Sequence, residues 1–452
     1  MPADNKKVML KIDDVHLHSS GVFSNVYRGN LREPYEKTVA IKKTWPEKGE
    51  RNFEFIFLTG RERSKHKNVI QMIFAFSHNY DNDKKVCESY VFDYMPNTLA
   101  EVIRQKLSDI DVRLYTWQMF SGLKYLEEHK VVHRDLKPVN ILVDHATAYL
   151  KISDFGSAKI LEKGKPNNFY QVTRFYRPPE LLMKAQEYDA SVDVWSAGCI
   201  IAEMIRRHVV FPGRDSAHQL KLYCRCFGAP TDAEVRAMKA GERLEPELWK
   251  FQRGGGLQRL VTDATPEQLA FMKRILVYPP DKRLRGKLLL QDDFFRPLFR
   301  NGAVRQNGQK ISEVITAADY KRASEPEDSS AVRLAQLSKM PTNKDQGIPV
   351  CEKSNSYENV TVRRSTLIPK EQKMAREMKS KEDNSKDYDR KALSSEERQS
   401  APETRKKKST EMATARIGAQ QQQQKENNNN NSNERTKKSV MKSLMSFTRP
   451  HE

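Results

Sequence analysis

The stretch His16–Asn30, "HLHSSGVFSNVYRGN", reads as a strand, a turn and a second strand, with Val15, Leu17, Val26 and Tyr27 at the apolar positions. A hairpin that closes over phosphates carries G-x-G-x-x-G, because backbone must approach the oxygens without Cβ atoms in the way. Only the middle glycine stands here, as Gly21, with Ser19 and Ser24 where the other two would be. Taken alone, an ordinary surface hairpin is the better reading. Three further pieces change the balance: "VAIK" (Val39–Lys42), "VVHRDLKPVNILVD" (Val131–Asp144) and "LKISDFGSAK" (Leu150–Lys159). They supply a lysine in a strand-like run, then Asp135 and Asn140, then Asp154. These types suit a polyphosphate: a fixed cation for phosphate oxygens, and hard amide and carboxylate oxygens for magnesium. Singly, Asp135 and Asp154 read equally well as turn residues, and Lys42 as an edge-strand lysine that opposes aggregation. Those readings leave the order and spacing unexplained.

The elements that would position these residues are of two kinds. The first 95 residues read mostly as strands, among them "TVAIKKTW" (Thr38–Trp45) and "SYVFDYM" (Ser89–Met95). From Pro96 to Arg300 the pattern is mostly helical; Leu114, Trp117, Gln118, Leu123 and Leu126 fall at helical spacing in "DVRLYTWQMFSGLKYLEEH" (Asp111–His129). A small β-rich lobe followed by a helical one implies a cleft between them, a usual place for a ligand. After "DDFFRPLFR" (Asp292–Arg300) the composition turns to Lys, Arg, Glu, Ser, Gln and Asn, with the runs Gln420–Gln424 and Asn427–Asn431, which cannot bury a core. This part is expected to be disordered. Pro369–Glu382 and Ser439–Phe447 are candidates for ordering on a partner, and Thr404–Thr410 reads equally as a nuclear import signal or a solvated basic run.

The chain has 452 residues, a net charge of +20 and a sequence pI near 9.5, which suits acidic or phosphorylated partners. A nucleic-acid role for the tail rests on charge alone, since interleaved aromatics are missing, and nucleic acid is not the expected partner. No apolar run would span a bilayer, and the start is not signal-like. Cys87, Cys199, Cys224, Cys226 and Cys351 are scattered and odd in number, which suggests reduced thiols and a cytoplasmic or nuclear setting. Cys224 and Cys226 read as part of a packed helix or loop rather than a metal fragment.

Taken in order, the three pieces and the degenerate hairpin match the protein-kinase signature set. Over about residues 10–300 the chain resembles a eukaryotic protein kinase. The resemblance implies an α+β fold, the bilobal protein-kinase fold, with an extension 1–14, a small β-rich N-lobe 15–95, a larger helical C-lobe 96–300 and a basic low-complexity tail 301–452. It implies ATP and Mg2+ as cofactors. The nucleotide would be lined by Gly21, Val26, Ala40, Lys42, Glu54, Phe92, Asp93, Met95, Leu142 and Asp154, with Lys42 on the α/β-phosphates and Glu54 as its carboxylate partner. Asn140 and Asp154 would hold the metal. Asp135 would accept the hydrogen bond of the substrate hydroxyl, with Lys137 beside the transferring group. The lysine of "HRDLKP" points to serine/threonine substrates. "RFYRPPE" (Arg174–Glu180) resembles the end of an activation segment, Arg283 is placed to pair with Glu180, and Asp193 to hold the catalytic loop from below.

"DFGSAKIL", the spacing of Tyr170 to Arg174, "SVDVWSAGCIIAEM" (Ser191–Met204) and Phe211–Thr231 are similar to glycogen synthase kinase-3. "VTRFYRPPE" also resembles cyclin-dependent and mitogen-activated kinases, but the cyclin-facing helix motif and Thr-x-Tyr are missing. The resemblance implies phosphorylation of Tyr170, with Arg174 and Arg177 near enough in sequence to clamp the phosphate. It implies protein substrates bearing Ser or Thr, leaves room for a scaffold protein on the C-lobe, and implies no membrane partner. Two departures stand out. Ser19 and Ser24 stiffen the phosphate hairpin, which reads as a working variant in which Phe23 still caps the γ-phosphate. The family's pocket for a priming phosphate needs three basic residues; Arg134 and Lys159 are present, and the third position is Phe53. An active kinase with an altered primed-phosphate pocket is the reading; the alternative is a catalytically weak pseudokinase or scaffold.

Overall fold

The computed structural model describes residues 9–21, 24–46, 53–59, 66–80, 85–162, 165–169 and 172–324. Phe23, Tyr170 and the chain from residue 325 lie outside these, and with them the readings made on the tail segments.

Five antiparallel strands open the chain: β1 (Lys11–Ser20), β2 (Ser24–Glu33), β3 (Lys37–Thr44), β4 (Met72–Tyr80) and β5 (Lys85–Asp93), in the order β1-β2-β3-β5-β4. Strand alternation sorts β3. Val39 and Ile41 are buried with Leu31 and Val91, while Ala40 and Lys42 fall on the opposite face. Leu17 does not join the core as the sequence pattern suggested: it lies on edge strand β1 and is 40% exposed. Between β3 and β4 stands a short helix, α1 (Phe53–Thr59), whose Phe57 packs on Phe155 at 4.6 Å between ring centroids.

The second lobe begins with β6 (Asn97–Thr98) and α2 (Leu99–Val102), then the central helix α3 (Asp109–Glu128). Ser108 caps α3 by accepting from the Asp111 amide, and Leu114, Trp117, Gln118, Leu123 and Leu126 are all buried. Gln118 is tolerated inside because its amide bridges Asn68, Ala148 and Leu150. Strands β7 (Val131–Val132), β8 (Ile141–Asp144), β9 (Tyr149–Ile152) and β10 (Lys159–Ile160) carry the loops of the site. Helices α4 (Pro179–Leu182), α5 (Ser191–Arg206), α6 (Ser216–Phe227), α7 (Asp232–Ala237), α8 (Pro266–Ile275), α9 (Gly286–Leu290) and α10 (Ala317–Ser324) complete the lobe. Cys224 and Cys226 are buried on α6, as a packed helix requires.

Packing continues past Arg300, where the sequence suggested that the tail begins. Ile311, Val314 and Ile315 are buried, and Arg305 is buried against Asp111 at 2.6 Å. Composition misplaced this boundary because the segment is anchored by few apolar residues and by a paired arginine that counts as polar.

Candidate active site

Lys42 stands on β3 opposite Val26 of β2 and Tyr90 of β5. Its Nζ donates to Glu54 Oε2 at 2.6 Å and to Asp154 Oδ1 at 2.9 Å. The other Glu54 oxygen accepts from the Phe155 amide at 3.3 Å, so one buried carboxylate ties α1 to both the lysine and the Asp-Phe-Gly turn. Burial by itself lowers the Lys42 pKa, but Glu54 and then Asp154 outweigh it and the net shift is upward. Burial likewise opposes ionisation of Asp154, and Lys42 reverses this and holds its carboxyl below the usual range. Both groups are therefore charged at neutral pH. Asp154 occupies the left-handed region at φ 63°, a costly conformation for a residue with a Cβ and one that clusters at functional sites.

The loop from His133 to Asn140 is held from beneath and from within. Asp193 accepts from the His133 amide at 2.7 Å and the Arg134 amide at 2.9 Å. Asp135 Oδ2 accepts from Lys137 Nζ at 2.7 Å and from Asn140 Nδ2 at 3.2 Å. Its Oδ1 accepts from the Thr173 hydroxyl at 2.6 Å and the Thr173 amide at 3.1 Å. Lys137 also reaches the Thr173 hydroxyl at 3.2 Å. Thr173 is the neighbour that sequence reasoning missed; its one signal is its place before Arg174 in "VTRFYRPPE".

The expected nucleotide-lining residues are spread over strands and loops of both lobes. Ala40 pairs with Phe92 across β3 and β5, and Leu142 lies on β8 opposite Lys151. Asp93 pairs with Lys37 at 2.6 Å, and Met95 follows, half-buried. The Gly21 amide donates to the Ser24 carbonyl at 2.8 Å, and a Cβ at Gly21 would lie 3.3 Å from that oxygen. Among the described residues no group of three or more His, Cys, Asp or Glu surrounds a metal. The donor set of Asn140 and Asp154 instead offers two hard oxygens, which fits magnesium that keeps its waters and shares phosphate oxygens. When bound there it would neutralise charge on the phosphates.

The positions expected to hold a priming phosphate, Arg134, Lys159 and Phe53, all make contacts within the protein. Arg134 donates to the Ser157 carbonyl at 2.8 Å and the Tyr188 hydroxyl at 3.3 Å, and Lys159 to Asn167 Oδ1 at 2.8 Å. The Phe53 ring stacks on Phe57 at 6.2 Å. Tyr170, whose phosphate the sequence spacing assigns to Arg174 and Arg177, lies outside the described residues. Arg174 is directed to the carbonyls of Gly213 and Arg214, and buried Arg177 donates to the Val172 carbonyl at 3.1 and 2.9 Å.

A family model for the protein kinase domain matches residues 17–295. The chain belongs to the protein kinase family. Within the family it is a divergent member of the glycogen synthase kinase-3 type. It is 33% identical over 328 residues to a Caenorhabditis elegans protein named "Putative serine/threonine-protein kinase gskl-1", covering 71% of this chain and 89% of that one. It is also 33% identical over 288 residues to "Protein kinase gsk3" of Schizosaccharomyces pombe, covering 62% of this chain and 72% of that one. The kinase is thus an ATP-dependent serine/threonine enzyme acting on proteins. Among its described residues no helix is long and apolar enough to cross a membrane.

Proposed function

We propose that this kinase transfers the γ-phosphate of ATP through Asp135, Lys42, Asn140 and Asp154, and that its primed-phosphate pocket is weakened. The bridge from Lys42 to both Glu54 and Asp154 carries the first part of this reading. A rigid lysine between two carboxylates is already in place to meet phosphates, and Lys137 lies beside Asp135 to neutralise the group in transit. Asp135 accepts the substrate hydroxyl's hydrogen bond and takes up its proton as the new P–O bond forms and the bond to the ADP oxygen breaks. Asp154→Asn should lower turnover by orders of magnitude while leaving the fold intact. Equal phosphotransfer by wild type and this variant would assign the activity to a contaminant and favour a scaffold that uses the fold for binding.

The weak pocket follows from the phenyl ring at Phe53, which supplies no donor to a phosphate, whereas an arginine fork supplies two. Arg134 and Lys159 remain as two charges. A phosphoserine four residues C-terminal to the target should therefore accelerate this kinase only slightly. Comparing kcat/KM for primed and unprimed versions of one peptide tests this, and a large primed preference would sink it.

A further inference from the structure

Lys67 lies outside every signature motif, in the segment that leads into β4. Its Nζ donates to the Val314 carbonyl at 2.7 Å and to Asp319 Oδ2 on α10 at 2.5 Å. Asp319 is fixed in turn by the amide and hydroxyl of Thr316, both at 2.8 Å, and α10 is seated by Tyr320 against Phe299 at 4.5 Å between rings. The ends of this contact are 252 positions apart in the chain.

On its other side Lys67 belongs to a backbone tile that ends at the active site. The Lys67 carbonyl accepts from Lys151 Nζ at 3.1 Å. The Asn68 carbonyl accepts from the Ile152 amide at 2.9 Å, and the Ile70 amide donates to the Ile152 carbonyl at 2.8 Å. Asn68 Nδ2 adds a bond to the Leu150 carbonyl at 2.9 Å. The next residue, Ser153, donates from both its amide and hydroxyl to the Asn140 carbonyl, at 2.9 and 2.8 Å. Asp154 follows immediately, in its left-handed conformation. The segment around Lys67 is thus bonded to the strand that presents Asp154 and, through Ser153, to Asn140.

We propose that Lys67 is a positioning residue for phosphoryl transfer and that α10 fixes it: the Asp319–Lys67 contact clasps the end of the kinase domain onto the segment that sets Asp154 and Asn140. Two restraints converge on one side chain, so the contact is directional, and small displacements of positioning groups are costly in rate. The proposal rests on the roles assigned above to Asp154 and Asn140.

The test uses the full chain, with ATP and a pooled Ser/Thr peptide substrate, and rates normalised to folded protein. Lys67→Met keeps the aliphatic stem and removes the donors; Asp319→Asn removes the charge. Each should lower kcat by about three- to tenfold with little change in the peptide KM. The double variant should be no worse than the more damaging single one, because both break the same contact. Lys67→Arg, which keeps charge and donors, should retain most of the rate. Amide exchange across Tyr149–Phe155 should quicken in both single variants. Wild-type kcat and exchange in both would overturn the clasp, and so would losses that add in the double variant. If Lys67→Met does not fold, Asp319→Asn decides by the same readouts. Asp154→Asn in the same assay keeps the two readings apart: if it retains turnover the site assignment fails, and if it is inactive while the clasp variants are normal only the clasp fails.

Discussion

Phe53 does two things at once, since the ring that supplies no phosphate donor is also a packing group. It stacks on Phe57, which meets Phe155, and Phe155 meets His133 at 5.0 Å. An aromatic pair is worth about 0.5–1.5 kcal/mol beyond its buried area. Phe53→Arg should therefore lower kcat/KM for unprimed peptide by loosening α1. It should also raise the primed-to-unprimed ratio, by up to about tenfold if one charge-assisted bond is worth ~1.5 kcal/mol. Phe53→Met, apolar but without a donor, should leave the ratio at its wild-type value. A strong wild-type priming preference that ignores Phe53→Arg would mean that another basic residue completes the pocket.

The segment between α1 and β4 also makes the kinase sensitive to acid. The His66 ring stacks on Tyr125 at 4.8 Å, and its Nδ1 accepts from the Asn68 amide at 3.2 Å. Burial, with Lys67 next, pushes the His66 pKa down from 6.5 to about 3. Between these values the unfolded chain binds a proton that the folded chain does not, so stability is lost as pH falls below 6.5 and is unaffected above it. The slope is at most about 1.4 kcal/mol per pH unit from this one group. His66→Gln should flatten denaturation free energy against pH between about pH 6.5 and 4.5, above the range where Asp319 titrates. An unchanged slope would mean that the imidazole is hydrated. This segment also marks how far the sequence could be read. Strand alternation in β3 and the helical spacing of α3 were legible because each repeats over many residues. Lys42 and Asp154 were legible because their order along the chain matched a known set. The Lys67–Asp319 contact left no such trace, since neither residue stands in a periodic pattern and the pair is formed only by tertiary structure. The same holds for Thr173 on Asp135, and for residues 301–324, whose polar text hides a buried Arg305.

Across the whole molecule, one ion pair joins the end of the activation segment to the distant loop before α9. Arg283 Nη1 and Nη2 donate to the two Glu180 oxygens at 2.7 and 2.6 Å. The remaining donors reach the carbonyls of Ser191, Tyr278 and Val277 at 3.0–3.1 Å. The side chains are 0% and 1% exposed, so removing either partner strands a charge in the interior. Glu180→Gln or Arg283→Met should each cost about 3–5 kcal/mol in chemical denaturation, while Glu180→Leu with Arg283→Met should cost less than either single change. A mild effect of either single substitution would show that water reaches the pair. The consequence reaches into descent. At about 3–5 kcal/mol for either half, a change at position 180 or at position 283 alone should leave a poorly folded protein. The two sites, 103 residues apart, are therefore expected to tolerate exchange only as a pair, although mutation offers one half at a time.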